Sequence, residues 1–165
     1  MSPVEGSPAK PEDYPHFMSV AHEQALKSLS EGGIPIGAAL VHLPTSRIIS
    51  RGHNNRVQLS SNVRHGEMDC LENLGRVPEG LLRDCAMFTT LSPCIMCSAT
   101  CILYKIRTVV LAENENFLGG EQLLRDNGAN VINLDCDEIK NMMKDWINSP
   151  GGKVWNEDIG EVTRS

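Results

Sequence analysis

The chain has 165 residues, with 15 basic and 21 acidic side chains and a net charge of −6. A chain of this length is most simply one domain, able to bury about 70% of its unfolded surface. Proteins that hold a phosphate backbone usually carry surplus Lys and Arg, so the acidic balance favours a small neutral substrate over nucleic acid. No apolar stretch approaches the roughly 18 residues of a membrane span, so no membrane association is expected.

The six cysteines follow no secretory pattern, and the first residues lack the basic and apolar regions of a signal peptide. We therefore expect a reducing compartment, the cytoplasm or also the nucleus, in which thiols are free to bind a metal. Residues 1–15 contain four prolines and few apolar side chains, which predicts a flexible N-terminal tail. Residues 16–165 are then expected to form a single domain.

Apolar residues recur at helical spacing over residues 16–29, and two glycines end this first predicted helix. Two apolar runs follow, 36–43 and 47–50, and the turn between them predicts a β-hairpin. Residues 51–55 are expected to leave the sheet as a polar loop, and 57–63 are also expected to be a loop.

The rest of the chain alternates between helical and strand patterns. Helices are predicted at about 65–74, 94–104, 121–126 and 137–147, and strands at 86–91, 108–112 and 130–134. A hairpin followed by this alternation predicts a mixed sheet, antiparallel at its beginning and parallel later, with helices on both faces. The expected fold class is α/β, with helices covering a five-stranded mixed sheet.

Two short motifs carry the chemistry: residues 65–67 (HGE) and 93–97 (PCIMC), with 25 residues between them. Cys94 and Cys97 lie on one face of a helix start, whose dipole favours the thiolate that zinc binds. His65 completes three protein ligands and leaves a fourth tetrahedral position for water, the arrangement of a catalytic zinc site. We therefore expect one Zn²⁺ per chain.

Two alternatives remain open for this metal site. A Cys-x-x-Cys pair by itself is more often a redox pair or half of a structural zinc site than part of a catalytic zinc site. Cys101, four residues beyond Cys97, could also be a fourth ligand that closes the site, although it lies nearly two turns past Cys94.

Glu67 separates an enzyme from a protein that only carries zinc. As an isolated residue it would be a solvated acid in the first turn of a helix. Two residues from a zinc ligand, its carboxylate can reach a water whose pKa the metal lowers toward about 7, take the proton and pass it on. We therefore interpret Glu67 as the catalytic residue; a non-catalytic zinc-bearing scaffold is the alternative from a different class.

The H-x-E and P-C-x-x-C motifs resemble those of the zinc-dependent cytidine/deoxycytidylate deaminase superfamily, a pattern already known as the signature of nucleobase deaminases. Within that superfamily the chain is most similar to the yeast-type cytosine deaminases, over about residues 16–161. The further segments that carry the resemblance are 32–37 (GGIPIG), 51–54 (RGHN), 89–94 (TTLSPC), 113–117 (ENENF) and 155–161 (WNEDIGE). The resemblance implies a three-layer α/β/α sandwich, a homodimer and a zinc cofactor.

The resemblance also implies an activity: hydrolytic deamination of free cytosine to uracil and ammonia, a step of pyrimidine salvage. An activated water would attack C4 of the ring, and Glu67 would protonate N3 and then the departing amine. Arg64 and the segment 60–63 depart from the family pattern, which puts the substrate in doubt. The alternative substrates are guanine, a cytidine nucleoside, or adenosine in tRNA. The acidic net charge of the chain argues against tRNA.

Several substrate-binding residues are implied by the resemblance alone. They are Asn54, Gly66, Leu91, Ser92, Phe117, Trp155 and Asp158. Asn54 would hold the amide edge of the base, the Gly66 N–H its 2-oxo group, and Asp158 with the Ser92 carbonyl its exocyclic amine. The two aromatic residues would form walls, and residues 150–161 a lid. Without the resemblance, these positions would be read as turn residues, exposed acids or core aromatics.

Overall fold

A five-stranded mixed sheet forms the centre of the fold in the computed structural model, which describes residues 2–78 and 80–158. The described helices and strands alternate along the chain. They are α1 Tyr14–Ser30, β1 Gly37–His42, β2 Arg47–His53, α2 Gly66–Leu74, β3 Cys85–Thr89, α3 Ile95–Leu103, β4 Thr108–Leu111, α4 Glu121–Asp126, β5 Asn130–Asn133, α5 Asp137–Ile147 and α6 Gly152–Asp158.

The strands lie in the order β2-β1-β3-β4-β5. β1 pairs antiparallel with both β2 and β3, whereas β3, β4 and β5 run parallel. The central register pairs Ala39 with Phe88 and Phe88 with Val110. The predicted mixed sheet, antiparallel at its beginning and parallel later, is confirmed.

Helices cover both faces of the sheet because successive side chains of each strand point to opposite sides. Phe88 and Val110 pack in the cluster that includes residues of α1 and α5. Their neighbours Met87 and Val109 pack on the other face, against residues of α2, α3 and α4. The expected three-layer α/β/α sandwich is therefore the observed architecture.

The loop predicted over residues 51–55 is wrong in its first half, because β2 continues to His53. Gly52 and His53 pair with Ala38 and Gly37 of β1. The polar sequence is compatible with a buried strand end because its backbone is satisfied by a side chain: the Asp69 carboxylate accepts the N–H of His53 at 3.0 Å. The strand thus extends close to the predicted zinc-binding motif.

The N-terminal segment, for which the sequence predicts a flexible tail, contacts the connection between β1 and β2. Gly6 and Ala9 donate their N–H groups to carbonyls in the β1–β2 connection, at 2.8 and 2.7 Å. α1 begins at Tyr14, whose ring packs edge-on against Phe88 with centroids 5.4 Å apart. Prolines prevent a long helix here but are tolerated in a first turn, so α1 begins only near the end of this segment.

The C-terminal segment forms a short helix, α6, that the sequence pattern does not predict. Val154 and Trp155 pack in an apolar cluster with Leu91 and Met143. A helix of seven residues is not stable by itself in water, so its packing rather than its propensity accounts for it. The last residues of the predicted lid, 159–161, lie outside the described part of the chain.

Close packing of β2 on α2 predicts a stability effect at Gly52, where an added β-carbon would overlap the backbone nitrogen of Cys70. Because neither backbone can retreat without moving α2, we expect Gly52→Ala to lower the free energy of unfolding by about 3 kcal/mol. Chemical denaturation measures the difference. The control is Gly128→Ala, where φ is +84° and nothing lies within 4 Å, so only about 1 kcal/mol is lost. Equal losses would contradict the close approach.

Candidate active site

The N-terminal ends of α2 and α3 meet beside the sheet. His65 is the residue immediately before α2, and Cys94 is the residue immediately before α3, each in an extended backbone conformation. Cys97 lies in the first turn of α3. The ligand atoms of these three residues all lie within 4.8 Å of one another. The structure therefore brings together the three side chains that the sequence selects as zinc ligands.

The chemistry of this donor set fits zinc. One imidazole and two thiols are the nitrogen and sulfur donors that tetrahedral zinc prefers, and neither thiol is in a disulfide. The Sγ of Cys94 lies 3.5 Å from Nδ1 of His65. The hydrogen bond from Cys97 lowers the pKa of Cys94 to about 4 despite its burial, and the bond to His65 adds to this effect. Cys94 is therefore held as the thiolate that a metal requires.

Cys101 does not join the three ligands. It is buried with Cys70 and Met87 in the core cluster beneath α2, α3 and α4. Burial raises the pKa of its thiol to about 12, so it stays protonated. Among the described residues, the ligand group contains His65, Cys94 and Cys97 alone, which leaves a tetrahedral ion one open position.

Glu67 lies in the first turn of α2 and is only 5% exposed, so it is not a solvated surface acid. The hydroxyl of Thr89, at the end of β3, donates to its Oε1 at 3.0 Å. Burial raises the pKa of Glu67, and the negative charge of Cys94 raises it further. A carboxyl with a raised pKa holds a proton more readily than an exposed one does, which suits a group that acts as both general acid and general base.

A cavity opens beside Glu67 and the ligands, with about 450 Å³ of empty space, part of it open to solvent. Its walls include five of the substrate-binding residues that the family resemblance implies. They are Asn54, Leu91, Ser92, Phe117 and Trp155. The rings of the two aromatic residues meet edge-on, with centroids 5.9 Å apart and planes at 90°.

Two other residues are implied by the resemblance, Gly66 and Asp158. Gly66 is the buried first residue of α2 but does not line the cavity. A β-carbon at Gly66 would lie 3.3 Å from the carbonyl oxygen of Ile36. The neighbouring backbone, and not the ring of a bound base, therefore limits the size of the side chain at this position. Asp158 ends α6, and its side chain lies outside the described part of the molecule.

Sequence reasoning missed four residues at the site. Ile34, Ile36 and Arg56 line the cavity, and Thr89 bonds the carboxyl of Glu67. The two isoleucines stand in a segment that carries the family resemblance, yet apolar residues beside a strand are usually core. Arg56 is 7% exposed, and no local pattern distinguishes it from an exposed arginine of a polar loop. Only the folded contacts identify it.

Arg64, which departs from the family pattern, does not line the cavity. Its Nε donates to Oδ1 of the buried Asp69 at 2.8 Å. Asp69 also accepts hydrogen bonds from His53 and Asn55. Burial raises the pKa of Asp69, but the bonds, that from Arg64 foremost, outweigh burial and lower it. Arg64 thus connects the loop before His65 to α2 through its hydrogen bond with Asp69.

The geometry agrees with what the chain resembles. Residues 11–113 match the family described as the cytidine and deoxycytidylate deaminase zinc-binding region. The chain is 47% identical to a cytosine deaminase of Candida albicans over 144 residues, 87% of this chain and 95% of that protein. It is 36% identical to a tRNA-specific adenosine deaminase of Streptococcus pyogenes over 142 residues, 78% of this chain and 87% of the other.

A solved structure shows the same fold. A guanine deaminase of Nitrosomonas europaea superposes with a TM-score of 0.71 at 21% identity, covering 87% of each chain. The matched region of the family includes both motifs and all three ligands. With its zinc-binding region matched over more than half its length, the chain belongs to the cytidine and deoxycytidylate deaminase family.

Proposed function

We propose that this protein hydrolyses free cytosine to uracil and ammonia with the help of one zinc ion. The observation that carries the proposal is the buried carboxyl of Glu67 in the same cavity as three zinc-type ligands. A scaffold that only carried zinc would need no buried proton carrier there. The 47% identity to a protein named cytosine deaminase, over 95% of that protein, supports the choice of substrate.

His65, Cys94 and Cys97 would hold the ion. When bound, zinc supplies Lewis-acid activation of a water molecule. Cys94 contributes a preformed thiolate, and the two helix N-termini orient the ligands before the metal arrives. The site thus fits zinc without a large rearrangement.

Glu67 performs the proton transfers of the proposed reaction. It takes one proton from the attacking water and gives it to N3 of cytosine; it then takes the second proton from the new hydroxyl on C4 and gives it to the exocyclic amine, which leaves as ammonia. The hydroxyl of Thr89 fixes Oε1 and so orients the carboxyl. Its raised pKa allows it to hold the proton between these transfers. Cytosine and one water give uracil and ammonia, and the carboxyl returns to its starting state.

Recognition of the base is assigned to the cavity walls. Asn54 would bind the amide edge of the ring, and Phe117 and Trp155 would cover its faces. α6, which carries Trp155, would act as the lid that keeps water from the reaction. Asp158 and the Ser92 carbonyl would accept from the exocyclic amine. The N–H of Gly66 would donate to the 2-oxo group.

The net charge of −6 favours a free base over tRNA, although an adenosine deaminase of tRNA is among the similar proteins. We place the reaction in pyrimidine salvage in the cytoplasm, where free thiols persist. No helix among the described residues has both the length and the apolar character needed to cross a bilayer.

We further infer a homodimer. Ile95 and Leu103 of α3 are about 70% exposed and lie eight residues apart, on one side of the helix. Tyr104 follows with half of its surface exposed. Large apolar side chains exposed along one side of a helix are typical of an interaction site. A second copy of the chain is the partner that we assign to it.

Metal analysis tests the ligands. We expect about one zinc per purified chain, and we expect Cys97→Ser to lose most of it because one of three protein donors is weakened. Cys101→Ser on the same helix is the control and should keep its zinc, since that side chain packs in the core. Two zinc ions or none in the unmodified protein would contradict the site.

Ammonia release tests the reaction and its substrate. The unmodified protein should release ammonia from cytosine faster than from cytidine, guanine or adenine. Glu67→Gln should retain zinc and fold yet slow release by about a thousandfold, because it removes the proton carrier. Glu72→Gln, an exposed position of α2, should keep full activity. Retained turnover in Glu67→Gln would exclude this residue as the proton carrier. Faster ammonia release from another base or nucleoside would show that cytosine is not the preferred substrate.

Sedimentation tests the interface. We expect the unmodified protein to be a dimer and Leu103→Glu to be a monomer at micromolar concentration, because a buried unpaired carboxylate is costly. Leu26→Glu changes another exposed leucine, on α1, and should leave the dimer intact. A monomeric unmodified protein, or a dimer that survives Leu103→Glu, would refute an interface on α3.

A further inference from the structure

Ser28, near the end of α1, is a fully buried polar residue that does not line the cavity. Its hydroxyl donates to the backbone carbonyl of Asn54 at 2.8 Å and accepts from Nε2 of Gln58 at 3.1 Å. A serine hydroxyl has one hydrogen to donate. Because Gln58 acts as the donor, that hydrogen is directed to Asn54. The three residues form a chain of hydrogen bonds with a defined direction.

The position of Gln58 is enforced by Gly33. A β-carbon on Gly33 would overlap the Gln58 amide, so the glycine provides the space that this side chain occupies. The Oε1 of Gln58 is buried and has no hydrogen-bond partner among the residues that the structure describes. An unpartnered buried acceptor is unfavourable. The Gln58 amide is therefore oriented so that Nε2 donates to Ser28, while Oε1 remains without a hydrogen bond.

Asn54 is held at three of its four polar groups. Its N–H donates to the carbonyl of Ile36 at 2.9 Å, and its own carbonyl accepts from Ser28. Its side-chain Oδ1 accepts the backbone N–H of Arg56 at 3.1 Å. Nδ2 is the group left to face the cavity that Asn54 lines. The direction of that amide follows from how the backbone is held.

We propose that Ser28 and Gln58 are positioning residues for base recognition, which set the direction of the Asn54 amide in the cavity. The inference rests on the proposed function, in which Asn54 binds the amide edge of the base. Neither Ser28 nor Gln58 lines the cavity, so their effect on the substrate passes through Asn54. Substrate affinity then depends on a residue of α1 that is outside both zinc-binding motifs.

Substitution of Ser28 tests the first link. Ser28→Ala removes one oxygen atom and should raise KM for cytosine about threefold to tenfold, the value of one hydrogen bond. We expect a smaller change in kcat, because Asn54 binds substrate and transition state alike. Ser30→Ala is the matched control: it lies on the same helix, is exposed, and donates to the carbonyl of Lys27 at 2.7 Å. Its KM should not change.

Reversal of the donor at Gln58 tests the direction of the chain. Gln58→Glu replaces the donor by an acceptor, which draws the Ser28 hydrogen away from Asn54. We expect the same rise in KM as in Ser28→Ala. The KM of the double variant should be no higher than that of either single variant, because each single variant and the double variant break the same chain of hydrogen bonds. Additive effects would overturn the proposal.

Hydrogen exchange provides a measurement that does not depend on turnover. The backbone N–H of Arg56 donates to Oδ1 of Asn54. We expect its hydrogen-exchange rate to rise in Ser28→Ala and to stay the same in Ser30→Ala. Unchanged exchange together with unchanged KM in Ser28→Ala would overturn the inference. Absence of cytosine turnover in the unmodified protein would overturn the proposed function instead, and the exchange rate would then decide between positioning and no positioning.

Discussion

The meeting of two helix N-termini is the constraint on which the site depends. His65 and Cys94 are far apart in the sequence, yet their Nδ1 and Sγ atoms lie 3.5 Å apart because each is the last extended residue before a helix. Close packing of β2 against α2 at Gly52 holds one of these helices. Ligand distances in a zinc site tolerate little variation, so the close packing of the sandwich is a condition for metal binding.

Two acidic residues of α2 differ in pKa because their surroundings differ. Glu67 and Asp69 are both buried and lie two residues apart. Burial raises the pKa of Glu67. Burial also acts to raise the pKa of Asp69, but there the hydrogen bonds, that from Arg64 foremost, together outweigh it and lower the pKa. The first is suited to exchange protons, and the second stays charged and anchors the loop before His65.

Similar proteins carry names for different substrates, among them cytosine, adenosine in tRNA and guanine. A fold supports several activities when the reacting centre is shared and the walls differ. In this chain the walls come from segments that are remote from the zinc motifs, such as Phe117 and Trp155. The proposed role of the buried hydrogen bonds behind Asn54 extends this division, because these bonds would act on base recognition and do not involve the zinc ligands.

Local patterns in the sequence determined the elements and the ligands. The bounds predicted for α4 and α5 are those observed, because helical periodicity depends on neighbours three and four residues away. Cys94 and Cys97 could be paired for the same reason. The tertiary structure decided what depends on distant partners: the contacts of the N-terminal segment with the β1–β2 connection, the extension of β2 to His53, and the burial of Arg56. These features come from contacts between remote segments, which no local spacing encodes.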